Sequence, residues 1–81
     1  MTALVDRIEK VMREVNPLRY RAFEHDANYY YEANNMIKLL TTQKMTEENA
    51  LEMCMEAFQI YYDNNPVWNA LSTSLLMVVS S

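Results

Sequence analysis

The sequence predicts an all-α fold: a compact bundle of about four helices with one long central helix, assembled as a homo-oligomer. Apolar residues recur at helical spacing in four segments, and two Asn-Pro steps separate neighbouring segments. The 81 residues include no glycine, which disfavours tight hairpins and hence a β-structure built on them. A chain of this length is expected to form one domain, residues 1–81.

The first predicted helix covers residues 3–15. On its solvent-facing side, Glu9 and Arg13 are spaced i,i+4, a spacing at which opposite charges attract on a helix surface. Asn16-Pro17 ends this helix and starts the next, because asparagine is a good N-cap and proline fits the first helical position. The apolar side consists of residues at heptad-like spacing: Leu4, Ile8, Val11 and Val15.

The second predicted helix, residues 17–43, is the long central one. Its apolar residues cover roughly 220° of the circumference, whereas a helix resting on one core needs a stripe only a little over 100° wide. The main apolar line passes through Phe23, Tyr30 and Ile37. The excess apolar surface predicts a homo-oligomer, most simply a C2 dimer. The first candidates for its interface lie beside that line: Tyr29, Met36 and Leu40.

The third predicted helix begins after its N-cap, Thr46, and ends at residues 63–66. The fourth covers residues 67–81, with Trp68 in the core. Its β-branched end also suits a strand, but a lone strand would lack a pairing partner, so a helix is favoured. The apolar face of the third helix is expected to include Leu51, Cys54, Phe58, Tyr61 and Tyr62.

Several functional classes are disfavoured by composition. One cysteine and one histidine, His25, cannot alone build a structural zinc site, and no nucleophile–base arrangement is readable. We therefore predict no enzyme activity, no metal and no cofactor. Charges interrupt the N-terminal apolar run, so it does not resemble a signal peptide, and no stretch resembles a membrane span. A cytoplasmic location without membrane contact is expected, and no motif is specific enough to assign a family.

Charge is unevenly distributed along the chain. The net charge is −4, yet residues 45–81 contain five acidic residues and no basic one. Direct nucleic-acid binding is disfavoured, because it needs a clustered basic surface. Glu48, Glu52 and Glu56 lie at i,i+4,i+8, and we call them the acidic ridge. The ridge is either a plain solvated face or an edge that meets a basic surface of a partner protein.

Three consecutive tyrosines, residues 29–31, fan across about 200° of the second predicted helix. They either pack against neighbouring helices or join Arg19 in a protein contact surface, since tyrosine and arginine are enriched at interfaces. The predicted partner-binding residues are Tyr29, Tyr31, Arg19 and the acidic ridge. The favoured function is a small acidic binding protein, such as an inhibitor that blocks the basic surface of a nucleic-acid-handling protein. The alternative is an oligomer that sequesters a nucleotide-like ligand in a Tyr- and Arg-lined pocket.

Overall fold

The computed structural model describes residues 2–21 and 28–80 of the chain. Within these ranges the chain forms four α-helices and no strand: α1 (Leu4–Val15), α2 (Tyr30–Leu40), α3 (Ala50–Ala57) and α4 (Val67–Ser80). The predicted all-α class is confirmed. The segment that also suited a strand belongs to α4, the longest of the four helices at 14 residues. Phe23 and His25 lie outside the described ranges.

The four helices pack in a ring, each against the helices before and after it, and α4 closes the ring on α1. The molecule measures 35 × 34 × 18 Å, so it is about two helix layers thick. None of the described helices is both long enough and apolar enough to cross a lipid bilayer. All four helices contribute to one core, and so does Met45, which precedes α3. The buried apolar residues of this core are Ile8, Met12, Tyr29, Ala33, Met36, Met45, Ala50, Met53, Cys54, Ala57, Trp68, Leu71 and Leu75.

Glu9 of α1 is buried, which corrects its predicted place on the solvent-facing side. Its side chain is 1% exposed, and one carboxylate oxygen accepts the backbone N–H of Tyr29 at 3.1 Å. The other oxygen forms an ion pair with Arg13 at 3.2 Å, so the predicted i,i+4 pair is present. The carboxylate therefore lies at the N-terminal end of α2, where unsatisfied N–H groups and the helix dipole favour a negative charge.

The predicted long central helix does not begin at residue 17: residues 17–21 are not helical, α2 covers Tyr30–Leu40, and residues 22–27 lie outside the described ranges. The reason lies in Asn16, which adopts the left-handed conformation after α1 (φ 53°). Its side chain forms hydrogen bonds to both the N–H and the C=O of Tyr20, at 3.0 and 2.8 Å. The Tyr29 hydroxyl also donates to Asn16 Oδ1, at 2.6 Å, and accepts the Leu18 N–H at 3.1 Å. These bonds hold the segment after Asn16 in a compact loop, so Asn16 does not act as the N-cap of a following helix.

Within α2, the predicted core line is wrong at Tyr30, whereas Ile37 is half-buried and packs against the core. The fully buried side chains are Tyr29, just before the helix, and Ala33 and Met36 within it. Tyr30 is exposed, and its hydroxyl donates to Asp6 of α1 at 2.9 Å. The apolar arc was wide enough for either line, and the hydrogen bonds of Tyr29 to Glu9 and Asn16 select the one that turns its ring inward.

Helix α3 is shorter than predicted because both of its ends are fixed by local hydrogen bonds. Before it, Thr46 and Asn49 form a reciprocal pair like a capping box: each side-chain oxygen accepts the other's backbone N–H, at 2.7 and 3.3 Å. The predicted cap at Thr46 is thus present, one turn ahead of the regular helix. After α3, Gln59 adopts the left-handed conformation (φ 58°), and the Ile60 N–H bonds to the carbonyl of Met55 at 2.9 Å. This is a Schellman motif with glutamine in the position that glycine usually occupies.

A row of four aromatic rings connects the α1–α2 loop to α4. Tyr20 contacts Tyr29 at a centroid distance of 5.1 Å, Tyr29 contacts Phe58 at 5.7 Å, and Phe58 forms a T-shaped pair with Trp68 at 5.1 Å. These spacings are typical of favourable aromatic pairs. Trp68 is 2% exposed, so its predicted place in the core is confirmed. The row ties α4 to the loop on the other side of the core.

Candidate protein-binding surface

The acidic ridge lies on the outside of the molecule. Glu48, Glu52 and Glu56 are all exposed. None of the three forms an ion pair or a side-chain hydrogen bond with the part of the chain that the structure describes, residues 2–21 and 28–80. The exposure agrees with the helical spacing from which the ridge was predicted. Three uncompensated carboxylates therefore project from one line along α3 and the turn before it.

Tyr61 and Tyr62 lie beside the ridge and are exposed, which corrects their predicted place in the core. Because the Schellman motif at Gln59 ends the helix, the chain leaves the axis of α3 before either tyrosine. Tyr61 is fully exposed and Tyr62 is 74% exposed. A hydroxyl-bearing ring exposed to solvent is a good contact residue, since tyrosine is enriched at protein interfaces. The sequence analysis missed these two tyrosines because it extended the helical period through them.

One side of α3 forms a groove of about 350 Å³. Two ridge carboxylates, Glu52 and Glu56, line it together with the ring of Tyr61. Two half-buried apolar side chains, Met55 and Ile60, also line it, and they are the residues that the Schellman motif joins. Within residues 2–21 and 28–80, the groove is lined by no basic side chain; its lining there is Gln43, Glu52, Met55, Glu56, Ile60 and Tyr61.

A second groove, of about 250 Å³, lies between α3 and the start of α4, beside Leu51, Tyr62 and Asp63. The Asp63 carboxylate accepts the Trp68 indole N–H at 2.9 Å and the Asn65 backbone N–H at 3.0 Å. These hydrogen bonds, with that of Trp68 the stronger, lower the pKa of Asp63 below its usual 3.8, so this exposed carboxyl is ionised at neutral pH.

The other predicted site residues do not gather around the acidic ridge. Tyr29 is buried and makes the hydrogen bonds described above, and burial raises the pKa of its hydroxyl above the usual 10.0. Tyr31 is 61% exposed on α2. Arg19 is exposed in the α1–α2 loop and lies close enough to Asp63 to contribute to the lowering of that pKa. Neither Arg19 nor Tyr31 lines either groove beside α3.

Two of the three residues proposed for contact between copies, Tyr29 and Met36, have no free surface. Both are buried within the monomer, and only Leu40 is partly exposed. These two side chains are part of the monomer's own core, to which all four helices contribute.

Other chemistry is limited in the described residues. Cys54 is buried, and burial raises the pKa of its thiol to about 12, so it is not a ready nucleophile. Within residues 2–21 and 28–80, no group of three His, Cys, Asp or Glu side chains is placed to hold a metal ion. A third groove, of about 280 Å³, lies between the turn before α3 and α4 and is lined by Glu47. Like the other two grooves, it has no lysine or arginine among its described lining residues.

Comparisons of this chain with protein-family models, with curated proteins and with solved structures find no match.

Proposed function

We propose that this chain is a non-enzymatic binding protein that acts through protein–protein contacts, with the α3 surface as its contact site. The site consists of the acidic ridge and the two exposed tyrosines, Tyr61 and Tyr62. The observation that carries the proposal is that the ridge carboxylates have no basic partner in the described chain although exposed rings and two grooves lie next to them. A basic surface on a partner would supply the missing counter-charges.

Electrostatics would act mainly on the rate and selectivity of such binding. The whole region after Lys44 carries only negative charge, so its field attracts a basic surface from a distance and repels an acidic one. Each exposed ion pair contributes only about 0.2–1 kcal/mol, so the affinity also needs the apolar contacts of the tyrosines and grooves. Binding would weaken as salt rises, because the Debye length shrinks from about 10 Å at 0.1 M to about 3 Å at 1 M.

Proteins that handle nucleic acids present the kind of surface that this site would fit, since they bind phosphates through clustered lysine and arginine. Bound to such a surface, the chain would occupy the place of the nucleic acid and act as an inhibitor. Such a role would be compatible with the expected cytoplasmic location, which is also a proposal.

The alternative, an oligomer that sequesters a nucleotide-like ligand beside Tyr29, Tyr31 and Arg19, has less support. Tyr29 is buried and already hydrogen-bonded to Asn16. Among the residues that the structure describes, each of the three grooves is lined by a carboxylate and none by a basic side chain. Phosphate would be repelled from such grooves. A homo-oligomer remains a separate proposal, with Leu40 as the surviving interface candidate.

The test is affinity capture from the native cell with the immobilised protein and two charge variants. Glu56→Lys alters the acidic ridge, and Glu14→Lys alters an exposed carboxylate on α1; each changes the net charge from −4 to −2. We expect the wild type and Glu14→Lys to retain the same protein, which salt or excess duplex DNA releases. Glu56→Lys should retain much less of it, and Glu52→Lys combined with Glu56→Lys less still.

Circular dichroism provides the control that all variants keep the helical fold. If the ridge variants and Glu14→Lys retain the same proteins in the same amounts, the ridge is only a solvated face and the proposal is wrong. If the captured protein stays bound during a wash with excess duplex DNA, the partner does not use its nucleic-acid-binding surface for this contact, and the inhibitor role is wrong.

A further inference from the structure

The groove lined by Tyr61 has a more specific chemistry than the rest of the α3 surface. Two carboxylates and an exposed aromatic ring share its walls with two half-buried apolar side chains, Met55 and Ile60. Its volume of about 350 Å³ is at the lower end of the range of about 300–1,000 Å³ found for small-ligand pockets. It therefore suits one long side chain better than a multi-ring ligand.

We infer that this groove receives an arginine side chain of the basic partner. The inference rests on the function proposed above and names the group that the partner must present. The aliphatic stem of arginine would pack against Met55 and Ile60, as long cationic side chains commonly do on apolar surface. The guanidinium would meet the carboxylates of Glu52 and Glu56 and lie against the ring of Tyr61.

Arginine fits this lining better than lysine for three physical reasons. Its planar guanidinium stacks on an aromatic face and makes paired hydrogen bonds to carboxylates, whereas the lysine ammonium acts as a compact point charge. It is also more weakly hydrated, so a partly apolar groove costs it less hydration. Cation–π contacts in proteins accordingly involve arginine more often than lysine.

The chain contains a matched pair of residues for the test. Tyr61 and Tyr62 are adjacent, both exposed and both outside the core, but only Tyr61 lines this groove, while Tyr62 lines the groove beside Asp63. Replacing either by alanine should leave the fold intact. Tyr61→Phe keeps the ring and removes only the hydroxyl.

The probe is a capped peptide of alternating arginine and alanine, compared with peptides in which lysine or citrulline replaces every arginine. Citrulline has nearly the shape of arginine but no charge. Binding is followed by amide chemical shifts of the isotope-labelled protein. We expect the arginine peptide to shift amides around residues 52–61 and to bind more tightly than the lysine peptide, and the citrulline peptide not to bind. Tyr61→Ala should lower the affinity for the arginine peptide about two- to fivefold, which is the contribution of an exposed cation–π contact. Tyr61→Phe and Tyr62→Ala should bind this peptide with nearly the wild-type affinity.

Two failures can be told apart. If arginine and lysine peptides bind equally and Tyr61→Ala behaves like Tyr62→Ala, while Glu56→Lys still abolishes binding, the arginine groove is wrong and the basic partner surface stands. If neither cationic peptide binds, or Glu56→Lys has no effect on their binding, both the groove and the proposed function are overturned.

Discussion

Replacing Glu9 by alanine should destabilise the protein far more than its place in an i,i+4 surface pair would suggest. The carboxylate is 1% exposed and accepts the buried N–H of Tyr29, twenty residues away in the sequence. Alanine cannot reach this N–H, and water has no access to replace the acceptor. The Tyr29 N–H, at the N-terminal end of α2, would therefore lose its hydrogen-bond acceptor.

The magnitude follows from the contacts that are lost. An unsatisfied buried N–H costs about 1–3 kcal/mol, one buried methylene about 0.8 kcal/mol, and the half-exposed ion pair with Arg13 about 0.2–1 kcal/mol. The expected loss is about 2–5 kcal/mol, a large part of the roughly 4–12 kcal/mol that a domain of this size has. The corresponding fall in Tm is roughly 8–40 °C, since each kcal/mol lowers the Tm of a domain of this size by about 4–8 °C.

Two variants isolate the cause. Glu9→Gln keeps an oxygen for the Tyr29 N–H but loses the charge and the oxygen that pairs with Arg13, so it should cost about 1 kcal/mol. Arg13→Ala removes the half-exposed partner and should cost about 1 kcal/mol or less. The assay is urea unfolding followed by circular dichroism, with thermal melts in parallel. The reasoning is refuted if Glu9→Ala stays within about half a kcal/mol of the wild type, or if Glu9→Gln costs as much as Glu9→Ala.

Four further outcomes are expected. Trp68→Ala should lose about 3–5 kcal/mol in urea unfolding, because the ring is buried against Phe58; an unchanged melting midpoint would show that the ring lies outside the core. Gln59→Gly should gain about 0.5 kcal/mol, since glycine relieves the left-handed conformation but adds entropy to the unfolded chain; a loss of stability would contradict the Schellman assignment. The Cys54 thiol should resist iodoacetamide at pH 8 until urea is added, because burial raises its pKa to about 12, so labelling of the native protein would argue against its burial. Folding lowers the pKa of Asp63, so the carboxylate stabilises the fold above its unfolded pKa, and this contribution is lost as pH falls through its folded pKa. Asp63→Asn should therefore make stability depend less on pH below about pH 4; an unchanged pH dependence there would count against the hydrogen bond from Trp68.

Features encoded by neighbouring residues were predictable from the sequence. The cap at Thr46, the start of α4 after Asn65-Pro66 and the exposure of the acidic ridge each depend on side chains within about one helical turn. The Asn65 side chain accepts the Val67 N–H at 3.0 Å, as its cap-plus-proline pattern indicates. Periodicity and capping rules operate over that range, so these elements were predicted correctly.

Most of the predictions that were wrong concern features that depend on contacts between residues distant in the sequence. The segment after Asn16 is held by the Tyr29 hydroxyl, and Tyr29 is oriented in turn by Glu9 of α1. No local pattern distinguishes such a carboxylate from one in an ordinary surface pair. The end of α3 was missed for a different reason: glutamine takes the left-handed position at Gln59, so the usual glycine signal is absent. The Tyr61 groove depends on that turn and could not be predicted without it.

The row of aromatic rings also gives the protein an internal optical reporter. Trp68 is the only tryptophan, and it ends a chain of ring contacts that starts at Tyr20. Excitation energy absorbed by Tyr20 and Tyr29 can transfer directly through space to the nearby indole, so tyrosine excitation and tryptophan emission together report whether the segment after Asn16, the start of α2 and α4 are assembled. Separation of any one of these segments interrupts the transfer, which makes a single fluorescence channel sensitive to partial unfolding that helix content alone would miss.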